Sequence, residues 1–521
     1  MQQPGSNHGT VYLVGAGPGD PGLITVRGID CLRRADLVLR DYLVNPAILA
    51  VVSPSAEIVC LRQHRVAGAL RQEEINSRMI EAARRGKNVV RLKGGDPDVF
   101  GRSGDEIEAL VAAGIPYETV PGITAGLAAS AYAGIPLTHS SHASAVALVT
   151  GQERHDKTGP GIDYGALAGF PGTLVFYMGV TSSAQWSEAL VEAGKPSDTP
   201  VAIVRRCSWP DQQTIRCTLG TVAAEIADRR ITPPAVILVG NVVPNVAEMS
   251  WFESRPLFGT RLLVTRPREQ AGELRQRLAD LGAWVDVQPA IRIGDPPDWR
   301  PVDAALRQLN SYDWLVFSSA NGVRFFLDRL LDRHGDLRRL GAVRLAAIGP
   351  GTAAALGRYH LRADLVPGRY RAEELARELA EEASSSRFLL LRASRGREVL
   401  AEQLAAAGGR VDQIVVYSST DVETPDPQIA EALAAGRIDW VTVTSSAIAE
   451  SLVRLFGDDL RRARLASISP VTSEALRGLG YEPKVEAVVY TMDGLVDALL
   501  NSAQARGVSP TAGPSDKSTK V

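Results

Sequence analysis

The chain has 521 residues, room for three or four domains at roughly 150 residues each. Lys+Arg number 57 and Asp+Glu 59, and a net charge of −2 excludes a global field for nucleic acid or an anionic membrane surface. Hydrophobic residues make up 45%, an ordinary globular share, and no uncharged apolar run nears the ~18 residues of a membrane span. The polar start MQQPGSNHGT has no apolar signal region, and the expected setting is the cytoplasm. Val11–Val14 reads as a strand, followed by a Gly/Pro turn and a helix from about Leu23 to Ala35. Leu37–Leu39, Ile58–Leu61 and Val89–Leu92 read as further strands, Glu73–Arg85 and Gly104–Ala113 as helices. Val146–Thr150, Thr173–Tyr177, Val201–Val204 and Val236–Val239 continue the alternation, which predicts α/β layers around a mainly parallel sheet. Gly134–Ser144, with Pro136 and little periodicity, reads as a hinge between two lobes.

A second unit is expected from Arg261, after the turn-prone Ser254–Thr260. It repeats internally. RLLVTRPR from Arg261 returns as RFLLLRASR from Arg387, so that Arg266 maps to Arg392, 126 residues on. Asp313-Trp314 returns as Asp439-Trp440 at the same offset, while LAAIGPGTAAAL from Leu345 returns as LASISPVTSEAL from Leu465, 120 on. A period this long is a duplicated lobe and not a solenoid unit. Two similar lobes imply a cleft, a favoured ligand site. The small polar segment 502–521 cannot offset its ordering entropy and is expected to be disordered.

Two Gly-rich turns carry the first chemistry. Gly15-Ala16-Gly17-Pro18-Gly19-Asp20 follows a strand, but Pro18 and Asp20 interrupt a dinucleotide fingerprint, and there is no Walker lysine. Gly94-Gly95-Asp96-Pro97 ends the strand VVRLK. Taken singly, each turn is as well explained by a tight strand-to-helix bend. As a pair carrying acids, they suit a ligand with hydroxyls and cationic groups and no phosphate, and S-adenosylmethionine fits that description. Four cysteines without a CxxC pair (Cys31, Cys60, Cys207, Cys217) and the loop histidines His139 and His142, with no ordered carboxylate partner, predict no metal and no disulfide framework.

VYLVGAGPGDPGLITVRG, LVLRDYLV, VVRLKGGDPDVFGR, VPGITAGLAASAYAGIPLTH and GTLVFYMG resemble uroporphyrinogen-III C-methyltransferase, of the tetrapyrrole methylase family. The resemblance covers residues 10–251 and implies two α/β lobes, about 10–135 and 144–251, in a homodimer paired through this half, with S-adenosylmethionine in the interlobe cleft. It puts Pro18, Gly94, Gly95, Asp96, Val99, Thr124, Ala125, Met178, Cys207 and Ala235 at cofactor positions, with Cys207 where the family has Gly. It implies two methyl transfers to uroporphyrinogen III, giving precorrin-2 toward sirohaem or cobalamin, with Asp41 as the base that removes a proton. The family's proton-donating Lys is replaced by Gln63, so either that Lys is dispensable, or His64 or Arg65 compensates, or methylation is impaired; with the cofactor and Asp41 motifs intact, activity is expected to remain. Arg40, Arg62, Arg65, Arg71 and Arg91 are candidates for the substrate's eight carboxylates, although any one of them alone reads as a solvated surface residue.

RLLVTRP, DWLVFSSANGVRFF, LAAIGPGTAAAL, DWVTVTSSAIAESL and TMDGLVDAL resemble uroporphyrinogen-III synthase, over residues 256–500. That resemblance implies two α/β lobes joined by two strands, lobe one 261–290 plus 417–500 and lobe two 291–416. It implies closure of hydroxymethylbilane to uroporphyrinogen III without metal or organic cofactor. Tyr417 is expected to help the leaving hydroxyl depart, at even odds with a plain strand-end aromatic. Thr265, Arg266, Ser318, Ser319, Asn321, Ser445 and Ser446 are expected to face the cleft and bind substrate; the Ser-Ser pairs equally suit helix N-capping. The expected partners are small tetrapyrroles, with no nucleic acid and no membrane. The competing enzyme reading is a methylase for another tetrapyrrole with a C-terminal tetrapyrrole-binding regulatory module; a DNA-binding regulator lacks a basic stripe or recognition helix.

Overall fold

The β-branched runs become strands because their side chains pack on pleated, buried surfaces. In the computed structural model, which describes residues 8–61, 71–153, 158–243, 250–396 and 398–504, the chain divides into two compact units, the first reaching Gly259 and taking in Leu281–Trp284, the second holding Thr260–Asp280 and the chain from Val285.

The first unit holds two five-stranded sheets. One is built from β1 (Val11–Gly15), β2 (Leu37–Asp41), β3 (Glu57–Leu61), β4 (Val89–Lys93) and β5 (Tyr117–Val120), in the order β3-β2-β4-β1-β5 and wholly parallel. The expected helix Leu23–Ala35 is shorter, α1 running from Val26 to Arg33. Asp20 first caps a single turn at Pro21–Leu23, and the Thr25 hydroxyl then accepts the Gly28 N–H and sets the true start. The other sheet is built from β6 (Val146–Thr150), β7 (Thr173–Tyr177), β8 (Pro200–Arg205), β9 (Gln213–Thr218) and β10 (Ala235–Val239), in the order β6-β7-β10-β8-β9. Only β6 and β7 pair in parallel; the other pairs are antiparallel, which corrects the expectation of a mainly parallel sheet here. The loop between Arg205 and Gln213 is too short for a crossover helix, so β8 and β9 fold as a hairpin.

The second unit also holds two sheets. β11 (Arg261–Val264) and β12 (Trp284–Val287) join β18 (Trp440–Val443), β19 (Arg464–Ser467) and β20 (Val485–Glu486) in the order β12-β11-β18-β19-β20. The intervening chain supplies β13 (Ile291–Gly294), β14 (Trp314–Phe317), β15 (Arg344–Ala347), β16 (Arg387–Ala393) and β17 (Arg410–Asp421), in the order β13-β17-β16-β14-β15. β13 and the end of β17 form the antiparallel pair that connects them. Because β17 carries Tyr417 and continues to Asp421 within the second of these sheets, the crossing falls later than the expected residue 417.

The repeat is visible in hydrogen bonding. Ala466 pairs in parallel with Val485, and Ala346 pairs in parallel with Leu365, each residue of one pair lying 120 from its counterpart. The final helix, Met492–Gln504, takes in the first three residues of the segment expected to be disordered. The rest of that segment lies outside the described residues, as do Arg62, Gln63, His64 and Arg65. Among the described residues no helix is long and apolar enough to cross a membrane.

Candidate active sites

The two Gly-rich turns of the first unit meet. The Gly17 N–H donates to the Gly95 carbonyl at 3.1 Å, and the Gly95 N–H donates back to Gly17 at 2.8 Å. Both glycines adopt positive φ, +74° and +71°, which a side chain would strain. A third backbone segment closes on them. A Cβ at Gly122 would lie 2.3 Å from the Gly95 oxygen and 2.7 Å from the Gly15 Cα. This tight backbone knot floors a cavity of about 1690 Å³ lined by residues of both sheets' loops. Ligand pockets typically measure roughly 300–1,000 Å³, so this cavity is larger than a single-ligand site needs.

Asp41, at the end of β2, lines this cavity. Arg91 holds it at 2.6 Å and also donates to Glu106 at 2.9 Å, and Lys93 donates to Glu106 at 2.6 Å. Glu106 is wholly buried, on the helix Ser103–Ala112, and Arg91 and Lys93 are almost as deep. Burial opposes the charge on Arg91, but Asp41 and Glu106 outweigh it and raise its pKa. Burial and the neighbouring Arg91 push the Lys93 ammonium down, against the pull of Glu106. The lysine that precedes Gly94 is thereby spent on Glu106, and among the described residues no lysine lines the cavity.

The far wall carries Tyr177, Met178, Arg206, Cys207 and Ala235. The Tyr177 hydroxyl is 2.7 Å from the Thr124 hydroxyl and accepts the Gly126 N–H at 2.7 Å, tying β7 to the first turn of the helix Ala125–Ala133. Phe100 packs on the Tyr177 ring at 4.9 Å, and the Trp209 indole donates to the Pro18 carbonyl at 3.2 Å. Phe100, Arg102, Met178 and Arg206 combine positive φ with a place on the cavity wall. Such strain persists only where the surroundings over-determine it, and it gathers at functional sites. The Cys207 thiol lies 3.7 Å from the Ala125 carbonyl, and burial pushes its pKa up to about 12. It is therefore a neutral filler and not a nucleophile.

In the second unit the carboxyl ends of β11 and β14 face one another. Gln270, in the first turn of the helix Arg268–Asp280, donates to Asn321, in the first turn of the helix Ala320–His334, at 2.7 Å. Arg266 donates to the same Gln270 at 3.1 Å. Ser319 caps the second helix by accepting the Gly322 N–H, and its hydroxyl is 3.0 Å from that of Tyr417. Tyr417 is buried under Phe325, and burial raises its phenol pKa despite hydrogen bonds to Ser319 and Asn321. The phenol is held neutral, able to donate a proton.

Two family models match this chain: the tetrapyrrole (corrin/porphyrin) methylases over residues 10–223, and uroporphyrinogen-III synthase HemD over residues 272–497. A porphyrin biosynthesis protein HemD of Ruminiclostridium josui is 34% identical over 497 residues, covering 95% of this chain and 98% of its own. The chain belongs to the tetrapyrrole methylases and to the uroporphyrinogen-III synthases. A uroporphyrinogen-III C-methyltransferase of Bacillus subtilis (strain 168) is 40% identical over 340 residues, 65% of this chain and 70% of that one. A siroheme synthase of Zymomonas mobilis is 44% identical over 255 residues, 49% of this chain and 53% of that one. The fusion thus joins two tetrapyrrole-biosynthesis folds.

In the methylase half, Pro18, Gly94, Gly95, Asp96, Val99, Thr124, Ala125, Met178, Cys207 and Ala235 all line the single cavity with Asp41. Asp20 does not. Its carboxylate accepts the Gly22 N–H and the Tyr132 hydroxyl, so it is structural, and of the two expected acids only Asp96 lines the cavity. Asp96 accepts from the Asp98 and Gly122 N–H groups and holds the knot together. Arg91 is engaged with Asp41 and Glu106 and so is not a free anchor for substrate carboxylates. Arg40 donates to the Val44 carbonyl, and the Arg71 backbone N–H to Glu74. The His139 and His142 rings lie 4.7 Å apart, tilted to one another, and among the described residues no three potential metal ligands gather.

In the synthase half, Arg266, Ser319, Asn321 and Tyr417 come together. Thr265 does not face the cleft: it is wholly buried, its hydroxyl spent on the Thr442 carbonyl at 2.5 Å. Ser318 reaches the Leu391 carbonyl, Ser445 caps its helix through the Ile448 N–H, and Ser446 reaches the Val471 carbonyl. Glu106, Lys93, Tyr177 and Trp209 are residues that sequence reading missed. Lys93 and Arg91 alternate with apolar residues in a strand that is buried on both faces, and that mismatch was the available signal.

Proposed function

We propose that the methylase half, residues 10–251, transfers two methyl groups from S-adenosylmethionine to uroporphyrinogen III, giving precorrin-2. We propose too that the synthase half, residues 256–500, makes that uroporphyrinogen III from hydroxymethylbilane. What carries the reading is the reciprocal Gly17–Gly95 pairing beneath one cavity whose wall includes Asp41 and all ten family cofactor positions.

When bound, the sulfonium cofactor supplies an already activated methyl group. The residues suited to hold it are Gly94, Gly95 and Asp96 at the knot, Thr124 and Ala125 at a helix N-terminus, and Met178, Cys207 and Ala235 opposite. A phosphate-free nucleoside suits a wall on which no described lysine is available. The chain's part is alignment, the exclusion of water and proton removal. Fixing a pyrrole carbon against the methyl group is proximity catalysis. Arg91 fixes the Asp41 carboxylate at the cavity wall, where it takes the proton released as conjugation is restored.

In the synthase half the neutral Tyr417 phenol protonates the departing hydroxyl, which leaves as water, while Arg266 and the capped helix starts take substrate carboxylates. The product feeds sirohaem or cobalamin synthesis, and we place the enzyme in the cytoplasm as a homodimer paired through the methylase half. Purified full-length chain given uroporphyrinogen III and labelled methyl donor tests the first activity. Gain of two methyl masses supports it, and a different methylated tetrapyrrole, or none, rejects it.

A further inference from the structure

The duplicated lobes of the second unit share one more feature. The Arg371 N–H donates to the Arg369 carbonyl at 2.8 Å, and the Thr491 N–H donates to the Val489 carbonyl at 2.7 Å. Each is a three-residue turn, and a tyrosine stands at each apex: Tyr370 and Tyr490. The two tyrosines are 120 residues apart, the same offset that relates the Ala346–Leu365 pairing to Ala466–Val485. The turns therefore occupy equivalent places in the two lobes, each after the outermost strand position and immediately before a helix, Ala372–Ala380 in one and Met492–Gln504 in the other.

Both rings are open to solvent to nearly the same degree, 45% for Tyr370 and 43% for Tyr490. An exposed aromatic is unremarkable singly. Two at one duplicated apex are harder to attribute to chance, because the tight turn thrusts the side chain outward in both lobes. Their surroundings also favour a ligand. Tyr370 rests on the backbone of Gly349, where a Cβ would meet its Cβ at 3.1 Å and its Cγ at 3.3 Å. Gly349 opens a helix at the carboxyl end of β15, the edge of a parallel sheet at which ligands bind. Exposed Arg369 and Arg371 flank it. Tyr490 continues an exposed apolar run with Val488 and Val489.

We infer that Tyr370 and Tyr490 are paired binding residues of the synthase cleft, each stacking a pyrrole ring of an open-chain, polycarboxylated tetrapyrrole. Arg369 and Arg371 take ring carboxylates beside Tyr370, and Val488 and Val489 extend the apolar contact beside Tyr490. This rests on the synthase reading above and adds to it how the linear substrate is gripped at both lobes. Stacking requires the ring and not the hydroxyl.

The test uses the full chain with hydroxymethylbilane, and isomer III separated from the spontaneously formed isomer I. Tyr370→Ala and Tyr490→Ala are each expected to raise KM about fivefold with kcat nearly unchanged, and Tyr370→Phe and Tyr490→Phe to restore it. Neither ring is buried, so thermal melts should coincide with that of the parent chain. An unchanged KM in both alanine variants overturns the inference, as does a phenylalanine variant no better than alanine. Failure of the parent chain to make isomer III above the spontaneous background is a separate result, which removes the synthase reading and this inference with it.

Discussion

Asp41 and Tyr417 are the two side chains proposed to move protons. Asp41→Asn keeps the shape of the cavity but cannot take a proton. Methyl transfer should slow about a hundredfold or more, with little change in the KM for the methyl donor, as labelled-methyl kinetics would read. Unchanged kcat would reassign the base. Tyr417 differs in that burial protects its proton. Its synthase activity should hold through the ordinary phenol value of 10.0 and fall only at higher pH. The same shift bears on stability. The unfolded chain ionises first, so any stability from this group is intact below 10.0 and is lost as pH rises through the higher folded value. Tyr417→Phe should lower kcat about a hundredfold and abolish that alkaline limb, measured by isomer III formation across pH.

Among elements, the knot of three backbone bends is the part with least tolerance. Gly122→Ala drives a methyl carbon to 2.3 Å from the Gly95 oxygen, so the bends must separate. Overpacking of this kind costs about 1–3 kcal/mol. Methyl-donor affinity, read by calorimetry, should collapse while isomer III formation by the other unit continues. Retained affinity would show that the knot does not shape the pocket. The strands of this region were legible, because runs such as Val11–Val14 and Val89–Leu92 declare buried β structure. The antiparallel pairing of β8, β9 and β10 was not, since strand direction depends on partners far along the chain. The Asp41–Arg91–Glu106–Lys93 chain was hidden for a related reason. Glu106 stands in the charged stretch Ser103–Glu108 and reads as surface, until the fold brings it under β4. The matching turns at Tyr370 and Tyr490 escaped notice because motif similarity fades beyond Leu356 and Leu476, although the offset persists.

Across the whole molecule, two tetrapyrrole-biosynthesis families share one chain, and the product proposed for one is the substrate proposed for the other. Tethering raises the local concentration of an intermediate. If that benefit is realised, the intact chain should outproduce an equimolar mixture of chains crippled in one half each, Asp41→Asn with Tyr417→Phe, at low concentration. Equal yields would remove the benefit without touching either activity. The coupled reaction is read out by incubating the intact chain with hydroxymethylbilane and methyl-labelled S-adenosylmethionine, then weighing the product. The expected product is an isomer III macrocycle carrying two labelled methyl groups; unmethylated isomer I, formed at the rate of the protein-free control, would overturn both proposed activities.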